Sequence, residues 1–190
     1  MLKPILKSDK KIYNNKILVL DLDSTLVYAS QNKLQNEMSY KKFNGLYIYI
    51  RPYVKNFLLT VSKYYTVFVF TAGIASYASF VVSMLEEHIG MNIITKIYSR
   101  NDCYMITPFV IKDLKIITSD LKSCILVDDT LSTSYLQPYN HIHIKAWHGD
   151  PNDKMMANLL NTILFLYFTK DVRLYTSKIN KLVDILAMTC

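Results

Sequence analysis

Cysteine is scarce in this sequence, and its number is odd. The three residues, Cys103, Cys124 and Cys190, form no C-x-x-C pair. Neither a zinc site nor a disulfide framework is indicated, and a reducing compartment fits best. Glycine is nearly as sparse, with four scattered residues, and no repeat, low-complexity tract or Pro/Gly/Ser-rich linker divides the chain. A single domain is expected for 190 residues of this kind. Charged side chains make up 19% against 51% hydrophobic, which is too apolar for a disordered chain and ordinary for a packed one. Acidic residues are the rarer sign: 15 Asp and Glu against 22 Lys and Arg leave +7. Such a field favours anionic partners and also serves solubility.

The opening segment MLKPILKSDKKIYNNK mixes lysines with polar residues and lacks the long apolar core of a signal peptide. An uncharged run over residues 64 to 85 breaks at Thr71-Ala72-Gly73. Its first half is β-branched and aromatic and its second half helix-like, so a buried strand followed by a helix is expected rather than a membrane span.

What is present is an alternation. Apolar runs at 17–20 (ILVL), 67–70 (VFVF), 124–127 (CILV) and 142–146 (IHIKA) read as buried strands, with helical patterns between or after them. This predicts an α/β fold with a parallel sheet flanked by helices. Arg51-Pro52 opens an apolar-periodic run through Leu59, and Asp150-Pro151 offers an N-cap and first-turn proline for a helix over 151–168. A last helix is expected at about 172–188. Residues 26–50 read as two short strands around polar NKLQNEMSYKKFNG, a hairpin or flap leaving the sheet, and residues 96–111 as a strand-rich connection.

In open α/β sheets ligands bind beyond the carboxyl ends of the strands. The residues found there are Asp21, Asp23 and Thr25 after the first run, Thr71 after the second, then Lys112, and the pair Asp128-Asp129 after CILV. Carboxylates, a hydroxyl and an ammonium suit a divalent cation and a phosphate. In an extended segment residues i and i+2 point the same way, so Asp21 and Asp23 can face one site while Leu22 turns toward the core. Taken singly, each has an ordinary reading: Asp128-Asp129-Thr130 as a helix cap, Thr71 as a strand end, Lys112 as a solvated lysine. His141, His143 and His148 read as surface or satisfied side chains. Only the ordered set points to chemistry.

That set resembles the haloacid dehalogenase superfamily of aspartate-nucleophile phosphatases, whose first motif, D-x-D-x-T, is matched by Asp21-Leu22-Asp23-Ser24-Thr25. LDLDSTLV, RPYVKNFL, FTAGIASYA, RNDCY, FVIKDL, ILVDDT and the stretch from Tyr135 to Trp147 are similar to one branch of it. The branch includes the small phosphatases of the RNA polymerase II C-terminal domain, the NLI-interacting-factor-like proteins and the dullard-type phosphatases. The resemblance implies a Rossmannoid sheet with a short β-hairpin flap and a small insertion. The implied phosphatase domain covers 17–168, between an N-terminal extension over 1–16 and a C-terminal helical extension over 169–190.

By the same resemblance Asp21 attacks phosphorus and Asp23 serves as general acid and base, with Thr71 and Lys112 acting on the phosphoryl group. Mg2+ is implied, held by Asp21, the Asp23 carbonyl and Asp129 with Asp128 near it, and Tyr77 and Arg100 align with substrate-binding positions. A phosphorylated protein or peptide is the expected partner, through phosphoserine or phosphothreonine. Between Val27 and Arg51 the chain is shorter than typical members, so the polymerase tail is one candidate substrate only. Alternatives are a small-molecule or lipid phosphatase of the superfamily, or a binding module without turnover. A phospho-acceptor receiver domain would carry its acids in the opposite order. Direct nucleic-acid binding is not expected, and a soluble nuclear or cytoplasmic protein is.

Overall fold

A computed structural model describes the backbone of residues 16–188 and the side chains of residues 16–180. The N-terminal extension expected over 1–16 lies, apart from Lys16, outside the described residues, as does Cys190. Along the chain run β1 (Ile17–Leu20), β2 (Val27–Ser30), β3 (Tyr40–Phe43), β4 (Leu46–Ile50), α1 (Val54–Val61), β5 (Thr66–Phe70) and α2 (Ala75–Ile89). There follow β6 (Ile94–Tyr98), β7 (Tyr104–Ile106), β8 (Phe109–Ile111), β9 (Cys124–Asp128), β10 (His141–His143), α3 (Met155–Tyr167) and α4 (Arg173–Met188).

Strand β1 is central in a parallel sheet of order β10-β9-β1-β5-β6. The alternation of side chains explains why these strands read as unbroken apolar runs: both faces are covered. Leu18, Leu20 and Leu22 join the larger core with Phe57, Val81 and Ile163 of the helices, whereas Val19 faces a second cluster with Phe70, Tyr98, Leu114 and Leu126. Strand β9 repeats the pattern, Ile125 and Val127 on the first face and Cys124 and Leu126 on the second. By that two-residue period Asp21, beyond β1, and Asp128, ending β9, emerge on the face of Val19 and Leu126. The chain leaves β1 toward β5 on one side and β9 lies on the other, so a crevice opens at the carboxyl end of β1.

The flap is larger than the sequence suggests. Strands β2, β4 and β3 form a three-stranded antiparallel sheet in that order. Strand β3 was hidden in polar YKKF, whose first three residues are exposed, so no apolar alternation marks it. Its signal was Asn44-Gly45: φ of 46° and 83° is the doubly positive turn that a two-residue hairpin requires. Strands β7 and β8 pair as a small hairpin within the strand-rich connection.

Two helix starts differ from expectation. Helix α1 begins at Val54, after Tyr53 at φ 65°, so Arg51-Pro52 does not open it. Arg51 is instead a buried tie. Its Nε and Nη2 donate to Asp153 Oδ1 and Oδ2 at 2.8 and 2.9 Å, its Nη1 to the Ser24 and Thr25 carbonyls at 3.3 and 3.1 Å, and Nη2 also to the Lys145 carbonyl at 3.0 Å. Helix α3 begins at Met155 rather than 151, because Asp150 is spent on a turn, accepting the Asn152 N–H at 2.9 Å. Asp153 accepts the Met155 N–H at 3.0 Å in its place. At the other end of α3 the buried Lys16 ammonium donates to the Leu166 and Thr169 carbonyls at 3.0 and 2.7 Å, the favourable end of the helix for a cation. Among the described residues no helix is long and apolar enough to cross a membrane.

Burial raises the Asp153 carboxyl, but the Arg51 hydrogen bonds and charge outweigh it and hold its pKa below the usual range. A lowered pKa contributes stability above the unfolded value, about 3.9, that is lost as pH falls through the folded one. Arg51→Met should cost about 3–5 kcal/mol in urea unfolding at pH 7, since it strands a partly buried carboxylate and the Thr25 and Lys145 carbonyls. Asp153→Asn should be less stable than wild type at pH 7, with the gap closing as pH falls below the unfolded value of about 3.9 and through the lower folded one. A gap of constant size across that range would show that the charge is not the agent.

Candidate active site

The D-x-D-x-T turn is folded by its own backbone and clamped from outside. The N–H groups of Leu26 and Val27 return to the Leu22 carbonyl at 2.8 and 3.0 Å, and Ser24 takes φ 57°, a left-handed conformation costly for serine. The Ser24 carbonyl accepts the Trp147 N–H at 2.8 Å and the long Arg51 bond, so two buried groups hold the turn in place. Asp21 is tied to β9 by its own N–H, which donates to the Val127 carbonyl at 3.0 Å.

Lys112 enters from the end of β8, its N–H on the Thr133 carbonyl at 2.7 Å. Its ammonium, 1% exposed, donates to Asp21 Oδ1 at 2.6 Å and Asp128 Oδ2 at 2.7 Å. Burial favours the neutral amine, but the two carboxylates more than offset it, and its pKa stands above that of an ordinary lysine. The reading of Lys112 as a solvated lysine is thereby excluded. Asp128 also accepts the Thr130 N–H on Oδ1 at 2.8 Å, so the capping turn and the ion pair coexist.

Asp21, Asp23, Thr71, Lys112, Asp128 and Asp129 line one hollow of about 230 Å³. Asp21, Asp128 and Asp129 each place a carboxylate oxygen within 4.8 Å of the others. One ammonium faces four carboxylates there, so the balance is negative. Burial pushes the Asp21 carboxyl up to about 7; Lys112 pulls against this, and Asp128 and Asp23 add to it. Asp129 is raised by burial and then by Asp128. A divalent cation relieves this crowding. The donors fit one: all are oxygens, as Mg2+ prefers. Both Asp128 oxygens already have protein partners, which leaves Asp21 and Asp129 the freer carboxylates.

Asp23 lives in a different setting. The Tyr77 hydroxyl, from the first turn of α2, donates a short hydrogen bond to Asp23 Oδ1. Burial raises the Asp23 carboxyl against the lowering effect of Tyr77 and Lys112. Asp23 and Tyr77 also border a second, apolar hollow of about 390 Å³ with Phe43, Leu46, Ile74 and Arg100. Thr71 is oriented by its own loop: its Oγ1 accepts the Gly73 N–H at 2.9 Å, which leaves the hydroxyl proton free to donate. A Cβ at Gly73 would lie 2.9 Å from Tyr77 Cδ1, so the loop can approach α2 only with glycine there. Arg100 brackets the loop, its Nε on the Ala72 carbonyl at 2.8 Å and its N–H on the Gly73 carbonyl at 2.9 Å.

Sequence reasoning missed several supports. Tyr77, aligned with a substrate-binding position, gives its hydroxyl to Asp23 and also lines the apolar hollow. Thr25 reaches Asp129 Oδ1 at 3.5 Å. His141 and His143 sit 3.0 Å from the Asp128 and Asp129 carbonyls through Nε2. Burial lowers the pKa of His141, and its Nδ1 lies 3.0 Å from Ser134 Oγ, whose hydroxyl donates to the Leu131 carbonyl at 3.0 Å. The H-x-H spacing on a strand was the available signal, but its register with β9 was not.

A parallel sheet of this order, with D-x-D-x-T after its central strand and a lysine and paired acids closing on it, is the architecture of the haloacid dehalogenase class of phosphatases. Residues 16–173 match the NLI interacting factor-like phosphatase family, and the chain belongs to that family. It is 31% identical over 191 residues to the CTD nuclear envelope phosphatase 1 of Xenopus tropicalis, covering 93% of this chain and 78% of that one. With a probable C-terminal domain small phosphatase of Dictyostelium discoideum it shares 34% identity over 166 residues, 84% of this chain and 53% of the other. The solved structure of Fcp1, an RNA polymerase II CTD phosphatase, superposes with a TM-score of 0.58 at 19% identity, over 93% of this chain and 54% of that one. That likeness concerns the fold, and the chain spans about half the length of that protein.

The raised Asp21 carboxyl predicts an unusual pH profile in metal-free buffer. Its folded value exceeds the unfolded one of about 3.9, so its contribution is complete below about pH 4 and lost as pH rises through about 7. Urea unfolding without magnesium should show stability falling across that window, and Asp21→Asn should flatten the fall. An unaltered profile in Asp21→Asn would remove the crowding account.

Proposed function

We propose that this chain is a Mg2+-dependent protein phosphatase acting on phosphoserine or phosphothreonine through an aspartyl-phosphate on Asp21. The observation that carries the reading is the separation of two neighbouring carboxylates into two environments. Asp21 is paired with the Lys112 ammonium, and Asp23 faces a tyrosine hydroxyl at the edge of an open hollow.

An Asp21 oxygen attacks phosphorus, and the bond to the serine or threonine oxygen breaks as Asp23 protonates it. Asp23, now ionised, takes a proton from a water that attacks the aspartyl-phosphate, releasing phosphate and restoring both side chains. A carboxylate about 4 Å from a phosphate dianion meets repulsion on the order of 8 kcal/mol at an effective dielectric near 20, twice the unit-charge figure. Lys112 offsets part of this, and the free Thr71 proton donates to a phosphoryl oxygen. Asp21 and Asp129, with the Asp23 carbonyl and Asp128 nearby, would hold Mg2+, which when bound supplies the remaining neutralisation.

A macromolecular substrate is supported by the apolar hollow next to Asp23, one wall of which the three-stranded flap supplies through Phe43 and Leu46. Phe43, Leu46 and Ile74 can receive a side chain flanking the phosphorylated residue, and Arg100 can meet its backbone or charge. The net charge of +7 assists capture of acidic peptides. The names of the relatives support a phosphoprotein substrate, with the polymerase tail as one candidate, and a nuclear setting.

Release of phosphate from an aryl phosphate with and without Mg2+ tests the chemistry. Wild type should require the cation, Asp21→Asn should lose at least about a thousandfold, and Asp23→Asn about 10²–10⁴-fold on a poor leaving group. Wild-type turnover in Asp21→Asn would dismiss the nucleophile. A phosphopeptide panel beside sugar phosphates and phosphatidate tests the substrate class; preference for phosphatidate would reassign the protein to lipid chemistry.

A further inference from the structure

Asp129 is the least tethered of the four carboxylates. The one side-chain bond it accepts, from Thr25, is long at 3.5 Å. Its direction is therefore set by its backbone, which lies just past the end of β9. Each flanking peptide has its oxygen on a histidine of β10. His141 Nε2 lies 3.0 Å from the Asp128 carbonyl, and His143 Nε2 lies 3.0 Å from the Asp129 carbonyl. A carbonyl only accepts, so both Nε2 atoms carry the proton. The Asp128 carbonyl also takes the Ile144 N–H at 3.2 Å, and the Thr130 N–H is taken by Asp128 Oδ1 at 2.8 Å. With both peptide planes fixed, φ and ψ of Asp129 are fixed, and with them the direction of its Cα–Cβ bond, from which the carboxylate reaches the hollow.

The strand that carries the histidines is short and at the sheet edge, open on its outer side. Asn180 of α4 closes that side: its Nδ2 donates to the His141 carbonyl at 2.9 Å and its Oδ1 accepts the His143 N–H at 3.2 Å. A chain of direct bonds thus runs from the last helix to the acidic pair.

We propose that His143, with His141 beside it, is a positioning residue that aims Asp129 at the cation site, and that Asn180 holds the strand from which it acts. The proposal rests on the phosphatase reading above for its cation. His143 is half-buried and its Nε2 is spent on the Asp129 carbonyl, so its effect passes through Asp129.

The test uses the full chain and two readouts. The first is the Mg2+ concentration giving half the maximal rise in melting temperature without substrate. The second is the Mg2+ concentration giving half-maximal aryl phosphate hydrolysis. His143→Phe, which keeps a ring but no donor, should raise both by about fivefold or more. His143→Gln, whose amide N–H can reach the same carbonyl, should return both to within about twofold of wild type. Asn180→Ala should raise them about two- to threefold, and decides the matter if His143→Phe does not fold. Unchanged values in His143→Phe and Asn180→Ala, or a His143→Gln as impaired as His143→Phe, would overturn the proposal. Loss of Asp21-dependent hydrolysis in wild type would defeat the phosphatase reading instead, and the melting titration would still decide this one. A wild-type protein whose melting ignores magnesium would overturn it outright.

Discussion

One ammonium holds the centre of this molecule together. Lys112 reaches across from the end of β8 to bridge Asp21 and Asp128, the residues that end two adjacent strands of the parallel sheet. Without it the alternation that packs Val19 and Leu126 into the core would bring two buried carboxylates face to face with nothing between them. Repulsion at about 4 Å, on the order of 4 kcal/mol at an effective dielectric near 20, is a large share of the stability of an ordinary domain, and one acid would stay protonated. The ion pair therefore couples the fold to the chemistry. In the proposed reaction a phosphate dianion would meet a lysine already committed to carboxylates, and the proposed cation would offset the negative crowding that remains.

The second constraint is mechanical. The two aspartates of the first motif flank a turn that passes through a left-handed serine, and such a turn persists only where its surroundings over-determine it. Arg51 and Trp147 supply this from the segment before α1 and from the segment after β10. Residues far apart in sequence thus converge on the carbonyls of Ser24 and Thr25, and Asp153 anchors the guanidinium in turn. The two carboxylates take no part in that clamp: Asp21 pairs with Lys112 and Asp23 with the Tyr77 hydroxyl at the crevice. The same economy recurs at Thr71, where a backbone N–H occupies one lone pair and leaves the proton available.

A good part of this was legible in the chain. Four apolar runs marked the strands because both faces of a parallel sheet are buried, and the polar residues just after them marked the crevice because that is where such a sheet admits ligand. Asp21, Asp23, Thr71, Lys112, Asp128 and Asp129 all follow from that logic, and they meet at one hollow. The third flap strand was not legible, since Tyr40, Lys41 and Lys42 face solvent and carry no periodic signal. Nor was Arg51, which looked like the opening of a helix because a buried arginine and an exposed one are identical as letters.

By itself, the order of residues determined which groups are present, which strands are buried, and that carboxylates two apart share a side, because these depend on local geometry and on the period of the side chains. Only the tertiary structure decided which partner each group has. Whether Asp21 meets Lys112, whether Asp23 meets Tyr77, and whether His143 reaches the carbonyl of Asp129 depends on the register of strands distant in sequence. Register is set by the packing of the whole core, and a carboxylate takes its charge state from the groups that packing places around it.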